Sequence, residues 1–364
     1  MKVTGIIAEY NPFHKGHAYH MQKARELTQA DYLLVVMSGD FTQRGTPALL
    51  DKYSRARMAL ACGADLVLEL PVRFACASAE FFAGGAVSLL HQLGVVDALC
   101  FGSECGNAGK LQKAAAALSK AEASEIYGNT LRQGLRSGLS FPAARARALG
   151  YGEDESGDLF ALPNNILGIE YCRALLGLQS AIRPVTILRK GAGYHDAQMQ
   201  GEKDRSCGFS SAFAIRHALQ EGGGFADIRG SLPEETREIW QSSLREGGTV
   251  SEKDFSPLLC YRLLMEAENG LSSYADVTTD LSDRLRKNLN RFTGWHEFCL
   301  LQNSKDMTYT RISRCLCRIL LGLTGEKQEE SKRLSFSSYA RPLGFRKSAA
   351  PLLHAIKQLS LIHI

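Results

Sequence analysis

The chain has 364 residues, of which 45% are hydrophobic and 22% charged, and it carries a net charge of +5. That length suffices for a large core and for two domains, or for one domain with an appendage, at an ordinary globular composition. No apolar run approaches the roughly 20 residues that cross a bilayer, and the first apolar run is broken by Glu9 and Asn11 with no small-residue cleavage site, so no membrane span and no secretory signal are expected and the expected location is cytoplasmic.

The first predicted strand, "KVTGIIAEY" at 2–10, runs into "NPFHKGH" and then a helix-like segment, "HAYHMQKARELTQA". A second strand at 31–39 leads through "SGDFTQRG" to the helix-like "KYSRARMALACGA". A third at 65–72 precedes "CASAEFFAGGAVSLLHQLG", a fourth spans 96–104, and a fifth spans 183–190. These short, continuously apolar, β-rich runs are typical of parallel strands buried on both faces. The alternation predicts an α/β fold with a Rossmann-like, doubly wound parallel sheet, in which ligands sit at the carboxyl ends of the strands.

Between the fourth and fifth strands, about 107–182, the text is helical and rich in Ala, Lys and Arg, which reads as a helical insertion. After "EGGG", near Glu221, no comparable strand is expected, so 1–220 reads as the catalytic domain and 221–364 as a mainly α-helical C-terminal domain. Leu281 to Ile364 holds fifteen Lys and Arg against six Asp and Glu, a local charge of +9 that suits a polyanionic partner such as nucleic acid. Ten scattered cysteines with no CxxC pair read as reduced thiols rather than a zinc or redox site.

"HKGH" carries the first chemical signal. His14 and His17 fall three residues apart in the first turn of a helix, beside Gly16 and unpaired backbone N–H groups. Imidazoles and helix N-terminal amides placed where charge develops stabilise a phosphoryl transition state without a covalent intermediate. A surface pair of histidines or a metal site remains an alternative, but Glu9 is the only nearby carboxylate and no metal set is expected. A second constellation is "GFSSAFAIRHAL", where Ser210 and Ser211 stand at a helix N-cap ahead of Arg216, so hydroxyls, amides and a guanidinium can converge on one phosphate.

An HxGH after strand 1 paired with an SSxxxIR opening a late helix resembles the two signatures of the nucleotidylyltransferase superfamily. "GIIAEYNPFHKGH", "VVMSGDFTQRGTPALLDKYSRARMAL", "GADLVLELP", "FGSE", "PNNILGIEY", "RKGAGYHD" and "YTRISRCLCRILL", in that order over most of the chain, resemble the bacterial tRNA(Met) cytidine acetate ligase family. The resemblance implies a ligase that couples ATP and acetate into acetyl adenylate and passes the acetyl group to N4 of the wobble cytidine of elongator tRNA(Met). It implies no acetyl-CoA; Mg2+ is expected from ATP chemistry alone. The alternative is a small-molecule adenylyl- or cytidylyltransferase.

Carried onto this sequence, the family's ATP site comprises Ile7, Ala8, Glu9, Tyr10, Asn11, Pro12, Phe13, His14, Lys15, Gly16, His17, Ala18, Tyr19 and His20, with Gly102, Asn164 and Arg189. Asn165 and Lys190 stay open as alternatives to the last two. His14 and His17 are the catalytic candidates, while His20 helps bind or supports the loop. Gly102 would let the nucleotide approach main chain, Asn164 would offer donor and acceptor to a base or ribose edge or else cap a helix, and Arg189 would stand beside the phosphates. Asp40, Gln43 and Arg44 face the same rim, as acetate or cytosine contacts or as a turn. Lys52, Arg55 and Arg57 neutralise pyrophosphate, touch tRNA or form a solvated helix face. Arg311, Arg314 and Arg318 form a basic stripe with Lys305 beside it, Arg284, Arg286, Lys287 and Arg291 a second patch, and Arg341, Arg346 and Lys347 a third. Asp306 and Met307 stand where the family is more basic, and the ending "KQLSLIHI" comes earlier than the family's usual end and does not resemble its continuation, so a truncated or frameshifted end stays open beside a complete one.

Overall fold

A computed structural model of the chain describes residues 1–122, 124–151, 159–189, 210–304, 307–336 and 338–364. Five strands, β1 (Val3–Ala8), β2 (Tyr32–Ser38), β3 (Leu66–Leu70), β4 (Ala98–Ser103) and β5 (Arg183–Leu188), are mutually parallel in the order β5-β4-β1-β2-β3. The order reverses between β1 and β4, which opens a crevice at their carboxyl ends.

Both faces of the sheet are covered, and so the central strands are apolar at successive positions rather than alternating. Helices Ala79–Gln92, Ala108–Ala121, Pro163–Gly177 and Ala350–Leu359 contribute to the core on one face. On the other, helices α1 (Lys15–Thr28) and α2 (Lys52–Ala61) share a core with Ile215, Ile228, Leu232 and Trp240. Asp51 starts α2 by accepting the Tyr53 and Ser54 N–H groups at 2.8 and 2.9 Å.

The C-terminal region adds one strand to the sheet and part of its core. A sixth strand, β6 (Arg341–Phe345), pairs antiparallel with β3 at the sheet edge, a short addition to a region whose sequence offers no strand candidate comparable to the first five. "RPLGF" carries a Pro and a Gly and is tolerated only because an edge strand leaves one side unpaired. Beyond Glu221, Ile228, Leu232 and Trp240 are fully buried in the core they share with α1 and α2. A third core does stand apart: it gathers Leu259, Leu263, Trp295, Phe298, Ile312, Leu316 and Ile319, and Cys76 reaches it from just after β3. Among the described residues no helix is long and apolar enough to cross a membrane, and the nine described cysteines are free.

Candidate active site

The loop between β1 and α1 is shaped by main-chain anchors. Tyr10 takes a φ of 49° and the Asn11–Pro12 bond is cis. The Asn11 side chain accepts the Leu49 N–H at 2.8 Å, Arg55 donates to the Glu9 carbonyl at 2.7 Å, and Arg216 donates to the Asn11 carbonyl. The chain thus leaves the sheet in one direction and enters α1 with His14 as its N-cap.

His14 and His17 are locked by this cap. The Gly16 N–H donates to His14 Nδ1 at 3.0 Å, the His14 N–H donates to His17 Nδ1 at 3.3 Å, and the two rings lie 3.8 Å apart. A neutral imidazole that accepts at Nδ1 carries its proton on Nε2, so both rings are Nε2–H donors. Tyr10 and Phe13 pack against the His17 ring at 4.9 and 5.6 Å and hold its plane. Burial, with Arg189 and Arg216 nearby, pushes the His14 pKa down to about 3, and burial with the neighbouring histidines and Arg189 puts His17 well below its ordinary range. His20 is pushed down to about 4 by burial and Arg189, and its Nε2 is a buried atom with no hydrogen-bond partner among the described residues. Near neutral pH the three rings are therefore uncharged, and the positive charge comes from arginines.

One cavity gathers these groups. It is lined by Ile7, Ala8, Glu9, Tyr10, Asn11, His14, His17 and His20, by Gln43 and Arg44, by Gly102, Asn164 and Arg189, and by Ser211 and Arg216. Arg189 follows β5, its N–H bonded to the Ser103 carbonyl at 3.0 Å. A Cβ on Gly102 would meet Arg189 Cγ at 3.2 Å, so the glycine clears a path for that side chain. The Asn pair is separated by geometry. Asn164 lines the cavity, donates from Nδ2 to Glu104 at 2.6 Å and accepts Arg189 Nη1 at 3.2 Å. Asn165 is 1% exposed and its Oδ1 accepts the Cys105 N–H at 3.0 Å, a structural role. Ser211 is an N-cap whose hydroxyl accepts the Ala214 N–H at 3.1 Å; Ser210 is buried outside the lining.

The model of the family described as HIGH Nucleotidyl Transferase matches residues 1–364. A tRNA(Met) cytidine acetate ligase of Clostridium novyi (strain NT) is 39% identical over 367 residues, 100% of this chain and 89% of its own. Another from Thermoanaerobacter sp. (strain X514) is 40% identical over 367 residues, 100% of this chain and 88% of its own. The chain belongs to the tRNA(Met) cytidine acetate ligase family of HIGH nucleotidyl transferases. Crystal structures of Thermotoga maritima TmcAL agree in fold: the apo form has a TM-score of 0.90 at 36% identity, covering 100% of this chain and 85% of that one. The form bound with alpha-thio ATP has a TM-score of 0.87 at 36% identity, covering 100% and 84%.

Not every residue expected at the family's ATP site reaches the cavity. Pro12, Phe13, Lys15, Gly16, Ala18 and Tyr19 are not among its lining. Phe13 is a fully buried support for the histidines, and Lys15 points to solvent. Asp40 lies outside the lining and pairs with Lys52 at 3.2 Å; Lys52 also pairs with Glu69 at 2.9 Å. Arg55 is fully buried and spends its donors on the carbonyls of Leu50, Glu9, Ser38 and Gly39, so it meets neither pyrophosphate nor tRNA. Arg57 is exposed on α2, and Lys190 lies outside the described residues.

The basic stripe is corrected in the same way. Arg318 is fully buried, donates to the Cys76 carbonyl at 2.8 Å and pairs with Asp276 at 2.5 Å. Arg314 reaches toward the Gln43 carbonyl at 3.5 Å, and helix Tyr309–Leu321 is packed on most sides. Lys305 lies outside the described residues. Arg284 donates to the Gln302 carbonyl, Arg346 donates to the Leu60 carbonyl, and Arg341 pairs with Glu69. Arg286, Lys287 and Arg291 remain exposed as a cationic patch, as does Lys347. Sequence reasoning missed Glu104, although "FGSE" contained it, and the apolar wall of Phe82, Phe101, Leu167 and Tyr171. Among the described residues no group of three or more His, Cys, Asp or Glu side chains is arranged to hold a metal ion.

Proposed function

We propose that this chain activates acetate with ATP and transfers the acetyl group to N4 of the wobble cytidine of elongator tRNA(Met), releasing AMP and pyrophosphate. The observation that carries this reading is the pair of imidazoles whose Nδ1 atoms are tied to backbone N–H groups, so that two Nε2–H donors serve one cavity with Arg189 and Arg216. ATP binds with its α-phosphate at His14 and His17, its base against the apolar wall and its remaining phosphates near the arginines. Acetate attacks phosphorus, pyrophosphate leaves, and the mixed anhydride is a far better acyl donor than acetate because AMP is a better leaving group. Fixed neutral donors strengthen their bonds as the phosphoryl oxygens gain charge, and losing one such donor costs about 10²–10³ in rate.

Within the loop from Ile7 to His20, the residues outside the cavity lining act by shaping it, and Asn164 and Arg189 complete the nucleotide contacts. Mg2+ would accompany the ATP phosphates rather than a protein ligand cluster, and no step here is routed through it. Arg286, Lys287 and Arg291 offer a place for the tRNA backbone, and the reaction belongs in the cytosol, where tRNA is modified. The test is incubation with ATP, labelled acetate and tRNA(Met). Acetylated tRNA together with AMP and pyrophosphate is expected, with acetyl-CoA unable to replace ATP and acetate. Unlabelled tRNA under those conditions, or label supplied equally well from acetyl-CoA, overturns the reading.

A further inference from the structure

Acetyl transfer needs a proton acceptor. When the N4 amine attacks the acetyl carbon, the N–C bond forms and the bond from that carbon to the phosphate oxygen breaks. The electron pair leaves on AMP, and one N4 proton must go elsewhere. Most of the cavity cannot take it. His14 and His17 already accept backbone N–H groups at Nδ1 and carry their protons on Nε2. Arg44, Arg189 and Arg216 have no acceptor atoms, the hydroxyls of Tyr10 and Tyr171 are protonated phenols, and at His20, the remaining imidazole of the lining, burial and the Arg189 charge disfavour the protonated ring.

We propose that the Glu9 carboxylate receives the N4 proton during acetyl transfer, an inference that rests on the function proposed above. Glu9 supplies the only carboxylate among the described residues lining the cavity. It stands just past the end of β1, its main chain clamped by Arg55, and its Oε1 accepts the Gln43 N–H at 2.6 Å. That bond seats the carboxylate beside the loop carrying Gln43 and Arg44, residues that also line the cavity. The same loop is docked on the third core: Ser313 Oγ donates to the Gly45 carbonyl at 2.9 Å, and Trp295 Nε1 donates to Ser313 Oγ at 3.1 Å. A cytosine entering from that side meets an amide and a guanidinium suited to its O2 and N3 acceptors, and its exocyclic amine meets Glu9. Carboxylate positioned within hydrogen-bond reach of an attacking amine is general-base geometry, worth about 10²–10⁴ in rate.

Glu9→Gln is the informative change, because the amide oxygen still accepts the Gln43 N–H while the side chain can no longer take a proton. Two half-reactions are read in the same preparation: acetate-dependent ATP–pyrophosphate exchange, and acetyl transfer from ATP and labelled acetate to tRNA(Met). Adenylation moves no proton from acetate, so transfer is expected to fall at least 30-fold more than exchange, with acetyl adenylate accumulating. Glu9→Asp, which keeps a carboxylate, is expected to recover transfer above the Gln variant. Equal loss of both half-reactions in Glu9→Gln means that Glu9 serves ATP or its metal and overturns the proposal. Undiminished transfer means that the AMP phosphate takes the proton and overturns it too. Wild-type protein with no acetate-dependent exchange overturns instead the function on which the proposal rests.

Discussion

Replacing each member of the Asn164–Asn165 pair by Ala separates a ligand contact from a scaffold contact at adjacent positions. Asn165 is 1% exposed and its Oδ1 satisfies the Cys105 N–H at 3.0 Å. Asn165→Ala leaves that buried donor unpaired, a penalty of about 1–3 kcal/mol. For a chain of this size that lowers Tm by several degrees, at roughly 2–4 °C per kcal/mol. ATP affinity should change less than about three-fold, since no atom of the side chain lines the cavity. Asn164→Ala does the reverse. It removes a partner of Glu104 at 2.6 Å and the acceptor that holds Arg189 at 3.2 Å, both at the half-exposed cavity wall, so stability falls by under about 1 kcal/mol. Losing its own contact and the placement of Arg189 should weaken ATP about 10- to 100-fold, equivalent to about 1.4–2.8 kcal/mol. Titration calorimetry with ATP, beside scanning calorimetry of the unliganded proteins, measures both quantities. ATP binding weakened as much by Asn165→Ala as by Asn164→Ala would refute the assignment.

Arg318→Ala removes a fully buried guanidinium from Asp276 and the Cys76 carbonyl and should cost about 3 kcal/mol in urea unfolding; normal stability with selective loss of tRNA binding would contradict its scaffold role. Charge reversal of the exposed Arg286, Lys287 and Arg291 should instead weaken tRNA binding and flatten its log K against log salt slope by about one to three. An unchanged slope excludes that patch. Gly45→Ala forces a side chain onto a φ of 74° and against the Arg314 backbone, so a loss of about 1–3 kcal/mol is expected together with slower acetyl transfer. On pH, burial and Arg189 lower His20 from 6.5 to about 4, so the unfolded chain protonates first and the His20 contribution to native stability, constant above pH 7, is lost between pH 6.5 and 4. The slope contributed by this one group is at most about 1.4 kcal/mol per pH unit and less with its partial solvent access; His20→Gln should shallow the fall in denaturation midpoint, and an identical profile would refute the cause.

The features legible in the sequence were those written locally. Continuous apolar runs flanked by helical text marked β1 to β5, because burial on both faces imposes that composition whatever the partner strands are. The His14-Lys15-Gly16-His17 turn was legible because a helix N-cap is a matter of four residues. β6 was not, since "RPLGF" acquires strand character only from pairing with β3, some 270 positions earlier in the chain. Glu104 was passed over for the same reason: a carboxylate after a strand has no visible task until the N-terminus of helix Pro163–Gly177 arrives, whose Asn165 N–H it accepts at 2.8 Å.

The arginines show the limit most sharply. Spacing places Arg314 and Arg318 on one side of a helix, but a guanidinium satisfies carbonyl oxygens and phosphate oxygens with the same fork of donors. Helical periodicity therefore identifies a row of donors and says nothing of what they face. Arg55 and Arg189 make the comparison within one site. Both stand near strand ends around the same crevice, yet Arg55 is surrounded by four carbonyls left over where β1, β2 and the loop to α2 converge. Arg189 has the space above Gly102 and a side-chain amide for company. The surplus of unpaired backbone acceptors, which depends on how distant segments end against one another, decides which arginine becomes structure and which stays at the cavity.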